Sequence, residues 1–304
     1  MINPIKIGTR DSELATWQAK TVADLLNDQG IRTEIVFIKS EGDLDLTTPL
    51  TEMGGKGVFT KALDNALIEK QIDIAVHSYK DLPTDNPLPL KVSAVLERED
   101  PRDALVAPGG VEFLENESAE IVIATGSNRR RAQWLHKYPN HTITNIRGNV
   151  NTRLRKVNEN SWAGAIFAAA GLKRINLDHH ISKYLDWMVP APAQGAMAVM
   201  IREDDHEIYE ITKALNHTET ELCTGIERDL LNEMEAGCSA PVGAFAWIDG
   251  DQVILHAVAL KIDGSVQYDI EKSASVKSSK NIGREAAKEL LSQGADRLIE
   301  DLRK

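Results

Sequence analysis

The stretch Ile121-Val-Ile-Ala-Thr-Gly-Ser-Asn-Arg-Arg-Arg131 joins an apolar run to a polar turn and then to three consecutive arginines. The same order follows once more, because the apolar run 142–146 leads directly into Arg147, Gly148 and Asn149. Apolar runs that alternate with helical stretches are typical of a mostly parallel sheet covered by helices. The pattern therefore predicts strands at 121–125, 142–147 and 164–169, and helices at 128–138 and 150–159.

The same alternation extends through the first hundred residues. A short strand at 5–7 ends at Gly8-Thr9-Arg10, and Asp11 or Ser12 can cap the helix that follows. This pattern predicts further strands at 31–38, 72–77 and 92–96, and a helix at 58–70. The fold class is α/β in this part of the chain as well.

Two segments indicate crossovers between lobes, Asp100–Asp103 and Pro190–Gly195. Beyond them the pattern changes. Thr218-Glu-Thr-Glu221 is a capping box that opens a helix, Asp249-Gly250 and Asp263-Gly264 are hairpin turns, and a closing helix covers about 281–302. We expect three domains: residues 1–99 with 196–216, residues 100–195, and a small α+β domain at 217–304.

Composition excludes several classes of protein. The chain of 304 residues has a formal net charge of -11, which argues against broad nucleic-acid binding. No apolar stretch reaches the roughly 18 residues of a membrane span, and the N-terminus lacks the features of a signal peptide, so we expect a cytoplasmic protein. Two cysteines without a nearby histidine cluster indicate neither a disulfide framework nor a metal site.

Residues 121–156 contain eight arginines and lysines and no acidic residue. Such a window favours the binding of carboxylates or phosphates, since anionic ligands bind past strand ends in open α/β sheets. Two other interpretations stay open: a solvated basic face, and arginines that pair with acids elsewhere in the chain.

Two further residues are candidates for chemistry. Asp81 follows a predicted strand, where a carboxylate can act as an acid, a base or an electrostatic stabiliser; the alternative is an aspartate that only satisfies a turn. Cys238 lies in a Gly- and Pro-flanked loop and is a candidate nucleophile or attachment point; the alternative is a small buried residue. Cys223 lies inside the predicted helix, and we interpret it as a packing residue.

The chain resembles the hydroxymethylbilane synthase family, also called porphobilinogen deaminase. The matching motifs occur in family order over essentially the full length, so the ordered set is much more specific than any single motif. They are Gly8–Ala19, Gly54–Phe59, Ala75–Pro83, Glu97–Ala104, Arg147–Arg153, Ala170–Arg174, Pro192–Gly195, Leu215–His217 and Gly237–Gly243.

The resemblance implies three domains, of which the first two resemble the lobes of a periplasmic binding protein. It implies a transferase that condenses four porphobilinogen molecules head to tail on a dipyrromethane cofactor and releases ammonia and hydroxymethylbilane. The cofactor is then held by a thioether to Cys238, Asp81 is the catalytic residue, and no metal, membrane or nucleic acid takes part. We expect a monomer.

By the same resemblance, a set of cationic and hydroxyl-bearing residues binds the carboxylates of cofactor and substrate. The cofactor contacts are Ser78, Lys80, Thr125, Ser127, Arg129, Arg130, Arg147 and Gly148. The substrate contacts are Arg10, Ser12, Lys56, Phe59, Arg147, Arg153, Arg174 and Gln194.

The chain departs from the family pattern at three positions, Glu52, Gly126 and Met200, and Arg131 has no assigned contact. Residues 40–57 are interpreted as a lid that carries Lys56. Two rival hypotheses are a binding protein for a carboxylated ligand, which predicts an unmodified Cys238, and a nucleic-acid-binding module that uses residues 121–156.

Overall fold

The computed structural model describes residues 4–39, 60–85, 88–116, 121–237 and 240–300. The chain forms two compact units, one from Met1–Glu99 with Ala196–Glu221 and one from Asp100–Gly195 with Leu222–Lys304. The described residues form three sheets, two of five strands and one of three. Since residues 100–195 and most of 217–304 share the second unit, their division into separate domains stays a prediction.

The sheet of the first unit has the strand order β2-β1-β3-β10-β4. Strand β1 is parallel to β2 and β3, while β10 lies antiparallel between β3 and β4. The strands are β1 (Ile5–Thr9), β2 (Thr33–Phe37), β3 (Ile74–Ser78), β4 (Leu90–Val95) and β10 (Met197–Arg202).

Helices cover both faces of this sheet because its strands are apolar on both sides. Among the described residues, the helices of this unit are α1 (Glu13–Asp28), α2 (Lys61–Ile68) and α6 (His206–Thr212). On one face Val22 and Leu26 of α1 pack with Val76; on the other, Leu63 and Leu67 of α2 pack with Ala75.

The sheet of the second unit has the order β7-β6-β8-β5-β9 and repeats the design of the first. Its strand β6 is parallel to β7 and β8, and one strand, β5, is antiparallel to both of its neighbours. The strands are β5 (Asp103–Val106), β6 (Val122–Ala124), β7 (Thr142–Thr144), β8 (Gly164–Ala168) and β9 (Lys183–Tyr184). The helices are α3 (Asn128–Lys137), α4 (Val150–Glu159) and α5 (Ala169–Arg174).

The C-terminal part is an antiparallel three-stranded sheet of β11 (Val242–Asp249), β12 (Gln252–Leu260) and β13 (Gln267–Ser275). Helices α7 (Thr218–Glu233) and α8 (Ile282–Leu290) contribute Leu230 and Leu290 to the core on one of its faces. The predicted α/β fold with a small α+β part at the C-terminus is confirmed.

The predicted closing helix is wrong in one respect. After α8 the chain passes through a π-helical segment, Leu291–Ala295, before α9 (Asp296–Glu300). Gly294 has a φ of 114°, which lies in the left-handed region and does not fit an α-helix. The apolar periodicity is continuous across this glycine, so the pattern alone gave no sign of the break.

The turn between β12 and β13 packs against helix α3. Gly264 has a φ of +76°, and a Cβ atom there would lie closer than 3.0 Å to the backbone of Leu135 and His136. The Nδ1–H of His136 donates a hydrogen bond of 2.8 Å to the carbonyl of Gly264. Ala132 of the same helix joins Val258 and Leu260 of β12 in a small core. This close approach attaches the C-terminal sheet to the second α/β sheet.

We expect Gly264→Ala to lower the free energy of unfolding by about 3 kcal/mol, since it combines an unfavourable backbone conformation with a steric clash. Gly250→Ala is the matched control, because Gly250 also has a positive φ, +61°, but a Cβ atom there would meet no other atom within 4 Å. It should cost only about 1 kcal/mol. Urea unfolding of both variants measures the difference, and equal losses would contradict the packing described for Gly264.

Candidate active site

The first unit contains a pocket of about 100 Å³ at the carboxyl ends of β1 and β3. Because these neighbouring strands are parallel, the residues that follow them meet at one edge of the sheet. Asp81 is the last residue of a short 3-10 helix, Tyr79–Asp81, that follows β3 directly. The pocket is lined by Arg10, Ser12, Leu14, Ala15, Gln18, Thr60, Leu63, Val76, His77, Ser78 and Asp81.

Local hydrogen bonds hold this pocket in shape. The Ser12 hydroxyl accepts a hydrogen bond from the backbone N–H of Ala15, so Ser12, and not Asp11, of the two predicted candidates caps α1. The Gln18 side chain donates to the Ser78 hydroxyl over 2.9 Å, which connects α1 to the end of β3. The first turn of α1, with its partial positive charge, therefore faces the pocket together with Arg10.

The two ionisable side chains with opposite charge in the pocket are Arg10 and Asp81. Asp81 is exposed, so its carboxylate is hydrated and available to a ligand. A pocket with one cation and one anion suits a ligand that carries both a carboxylate and a proton-donating group. Of the residues expected from the sequence, the pocket brings together Arg10, Ser12, Ser78 and Asp81; Lys80 lies in the same turn as Asp81.

His77 also lines the pocket, although the sequence patterns did not single it out. It is 6% exposed, and burial together with the charge of Arg10 lowers its pKa to about 4. The ring is therefore neutral at physiological pH. A histidine at the end of an otherwise apolar strand is the only signal that sequence reasoning could have used.

In the second unit, a buried carboxylate binds two of the expected arginines. Asp103 is fully buried and accepts hydrogen bonds of 2.7 Å from Arg129 Nη1 and 2.8 Å from Arg130 Nε. The same guanidinium groups donate to the backbone carbonyls of Val189 and Ile166. The structure thus shows that these two arginines pair with an acid elsewhere in the chain, which was one of the interpretations left open by the sequence. Their contact with the cofactor stays a prediction.

The side chains of Gln194 and Arg174 also donate hydrogen bonds to the crossover segments. The Gln194 amide donates to the carbonyl of Pro101 over 2.7 Å and to the Asp103 carboxylate over 3.0 Å. Arg174 Nη2 donates to the Gly195 carbonyl over 2.6 Å. Both side chains are buried, and they hold the segments 100–103 and 190–195 in place.

The remaining expected contacts follow β6 and β7, which are adjacent and parallel. Ser127 caps α3 by accepting from the backbone N–H of Arg130, and Arg153 Nε donates to the Gly148 carbonyl over 2.8 Å. A Cβ atom at Gly126 would lie 2.8 Å from the Ile146 carbonyl, so the two turns touch. The structure thus brings Thr125, Ser127, Arg147, Gly148 and Arg153 to one edge of the sheet.

Three expected residues, Lys56, Phe59 and Cys238, lie outside the described residues, as do Glu52 and the predicted lid 40–57. Cys223 is buried in the core around α7, as expected of a packing residue. Within the described ranges, no group of three or more metal-binding side chains is close enough to hold a metal ion. No helix in those ranges is long and apolar enough to cross a membrane.

Asp103→Asn should destabilise the second unit by about 3–5 kcal/mol, because it leaves two buried guanidinium groups without a counter-charge. Burial alone would raise the pKa of Asp103, but Arg129, Arg130 and Gln194 hold it well below its usual range. The stabilisation is therefore complete above the unfolded pKa of about 4 and is lost as the pH falls below it.

Asp186→Asn provides the control, since Asp186 pairs with Arg102 at an exposed position with 73% of its side chain accessible. We expect a loss below about 1 kcal/mol. Unfolding by denaturant at pH 7 compares the two variants. Similar losses would show that the buried carboxylate is not what stabilises this unit.

Known protein families match this chain over most of its length. Residues 5–210 match the family model described as porphobilinogen deaminase, dipyromethane cofactor binding domain. Residues 221–292 match the model described as porphobilinogen deaminase, C-terminal domain. The two models together include the pocket around Asp81, the buried Asp103 and the Cys238 loop.

Among solved structures, a lipoprotein of the YaeC family from Enterococcus faecalis is 13% identical, with a TM-score of 0.43 over 72% of this chain and 93% of the other. An ancestral cationic amino acid solute binding protein is also 13% identical, with a TM-score of 0.42 over 70% of this chain and 87% of the other.

Relatives with curated names are far more similar. A porphobilinogen deaminase of Syntrophomonas wolfei is 39% identical over 304 residues, which cover 99% of both chains. One from Campylobacter hominis is 40% identical over 303 residues and 98% of both chains. Matches of this identity over the full length, together with the two family models, establish that the chain belongs to the porphobilinogen deaminase family.

Proposed function

We propose that this chain is a hydroxymethylbilane synthase. In this reaction four porphobilinogen molecules are joined head to tail on a covalently bound dipyrromethane primer, ammonia is released, and the linear tetrapyrrole hydroxymethylbilane is freed by hydrolysis. The observation that carries the proposal is the pocket that brings Asp81 and Arg10 together in a chain of this family.

The residues present fit a dipyrromethane cofactor. Each pyrrole ring carries an acetate and a propionate, so the cofactor needs several cationic and N–H donors. The turns after β6 and β7 meet at Gly126 and offer Ser127 and Arg147, and the first turn of α4 adds Arg153. Each charge-assisted contact contributes about 1.5–3 kcal/mol. When bound, the cofactor supplies the free α-carbon to which the first substrate is joined.

Asp81 is proposed as the catalytic residue. Loss of ammonia from the aminomethyl group of porphobilinogen leaves a positive charge that is conjugated with the pyrrole N–H. A fixed carboxylate beside that N–H stabilises the charge as it develops. In its carboxylic acid form the Asp81 side chain can donate its proton to the departing amine, and the carboxylate that results can later take up the proton from the newly joined carbon.

The cationic groups are proposed to bind the carboxylates of the growing chain. In the first unit these are Arg10 in the pocket and Lys80 in the turn that carries Asp81, with Ser12 and Ser78 as neutral donors in the pocket. In the second unit they are Arg147 and Arg153, while Arg129, Arg130, Arg174 and Gln194 hold the crossover segments through the bonds described above. Lys56 and Phe59 complete the proposed substrate contacts.

Cys238 is proposed to anchor the primer through a thioether, which requires a reduced thiol. A reducing cytoplasm keeps this thiol available, and we infer that the protein works there. We infer that the protein acts as a monomer with porphobilinogen as its small-molecule partner.

Asp81→Asn should lower kcat for porphobilinogen consumption by about a hundredfold or more, because the amide cannot stabilise the developing cation. Asp85→Asn is the control, since Asp85 is a nearby exposed aspartate outside the pocket. It should retain the parent rate. Steady-state assays that follow porphobilinogen loss and ammonia release test both variants together with the parent chain.

A parent chain that consumes no porphobilinogen would contradict the proposed function. An Asp81→Asn variant with a rate close to that of the parent would contradict only the role of Asp81.

A further inference from the structure

His77 is a buried histidine in the pocket of Asp81 for which the mechanism above has no use. It lies on β3 directly before Ser78, and the register of the sheet pairs it with Ala198 of β10. Its side chain is 6% exposed, and the residue lines the pocket together with Arg10, Ser12 and Asp81.

The Nε2 atom of His77 is buried and has no hydrogen-bond partner among the described residues. A buried polar atom without a partner destabilises a folded protein, because it has lost its bonds to water and gained none. Because His77 lines the pocket, a ligand bound there is the candidate for the missing partner, and the ring must turn toward the ligand to expose Nε2. A role in packing alone would be met better by an apolar side chain.

The charges in the pocket indicate which chemical group of a ligand would form the hydrogen bond with His77 Nε2. Burial disfavours the protonated form of His77, and the charge of Arg10 acts in the same direction. The neutral ring carries one N–H donor and one acceptor. Since Arg10 attracts anions and repels a ligand ammonium group, a carboxylate is the ligand group that suits Arg10 and a neutral imidazole in one pocket, while Asp81 suits the N–H groups of the ligand.

We propose that His77 is a ligand-contacting residue whose Nε2–H donates a hydrogen bond to a carboxylate of a pyrrole ring bound beside Arg10. This proposal rests on the proposed function, because the ligand class is taken from it. The ring belongs either to the primer or to an incoming porphobilinogen, since both carry the same acetate and propionate groups.

The test compares His77→Phe, which keeps an aromatic ring without a donor, with His77→Gln, whose Nε2 can replace the imidazole donor. For His77→Phe we expect a loss of ligand binding of about tenfold to a hundredfold, which corresponds to one hydrogen bond to a charged group. His77→Gln should recover part of it. Stability gives a second readout, because the Phe variant removes an unsatisfied buried group and should unfold at the same or a higher urea concentration.

Two measurements distinguish the sources of the ring. If the ring belongs to the primer, the Phe variant is purified with a reduced fraction of cofactor-bearing chains, which intact mass spectrometry counts. If it belongs to incoming porphobilinogen, cofactor content is unchanged and KM rises while kcat changes little. Either result supports the contact.

His141→Phe is the matched control. His141 is also buried with an Nε2 atom that lacks a partner among the described residues, but its Nδ1 accepts a hydrogen bond of 3.2 Å from Trp134 in an aromatic core. This variant should lose stability and keep its cofactor content and KM.

Normal cofactor content together with a normal KM in His77→Phe would overturn the proposal. A loss of stability in both His77→Phe and His77→Gln would also overturn it, because His77 would then serve the fold and not the ligand. The parent chain is assayed in the same series. If the parent is active and His77→Phe matches it, only the role of His77 fails; if the parent is inactive, the proposed function fails and this inference fails with it.

Discussion

The second unit depends on the carboxylate of Asp103, which is fully buried between two arginines. An isolated buried carboxylate would be strongly unfavourable, so its position is fixed by the donors that surround it. Those donors come from α3 and from Gln194 in the second crossover, and Arg130 also reaches the carbonyl of Ile166 on β8. One side chain therefore fixes the start of β5 against a helix, a strand and the segment that leads to β10.

This arrangement gives two pairs of arginines in the basic window different tasks. Arg129 and Arg130 face inward and satisfy a buried acid, whereas Arg147 lies in the turn after β7 and Arg153 in the first turn of α4, where it donates to the Gly148 carbonyl. The inward group connects α3 to β5 and β8 through buried hydrogen bonds, and such fixed support is what a binding site for several carboxylates requires. A Glu227 carboxylate adds to the same support by accepting hydrogen bonds from the backbone N–H groups of Ala193 and Ala246.

Much of this could be predicted from the sequence because it is encoded locally. The apolar runs, the Ser12 cap and the Asp249-Gly250 turn depend on neighbouring residues, and the structure confirms them. The pairing of Asp103 with Arg129 joins residues that are 26 positions apart, and several acids compete for the same arginines in the sequence. Whether His77 Nε2 has a hydrogen-bond partner depends on the residues that surround it in the folded chain, so no sequence pattern indicates that it lacks one.

Whether this chain builds a tetrapyrrole on its own thiol is decided by the intact mass of the purified protein beside that of Cys238→Ser, before and after addition of porphobilinogen. We expect a parent chain heavier by one dipyrromethane and a ladder of further masses, each larger by one porphobilinogen minus ammonia. The serine variant should stay at its bare mass throughout. A parent chain that remains unmodified after incubation with porphobilinogen or preformed hydroxymethylbilane would contradict the account and favour a protein that only binds its ligand.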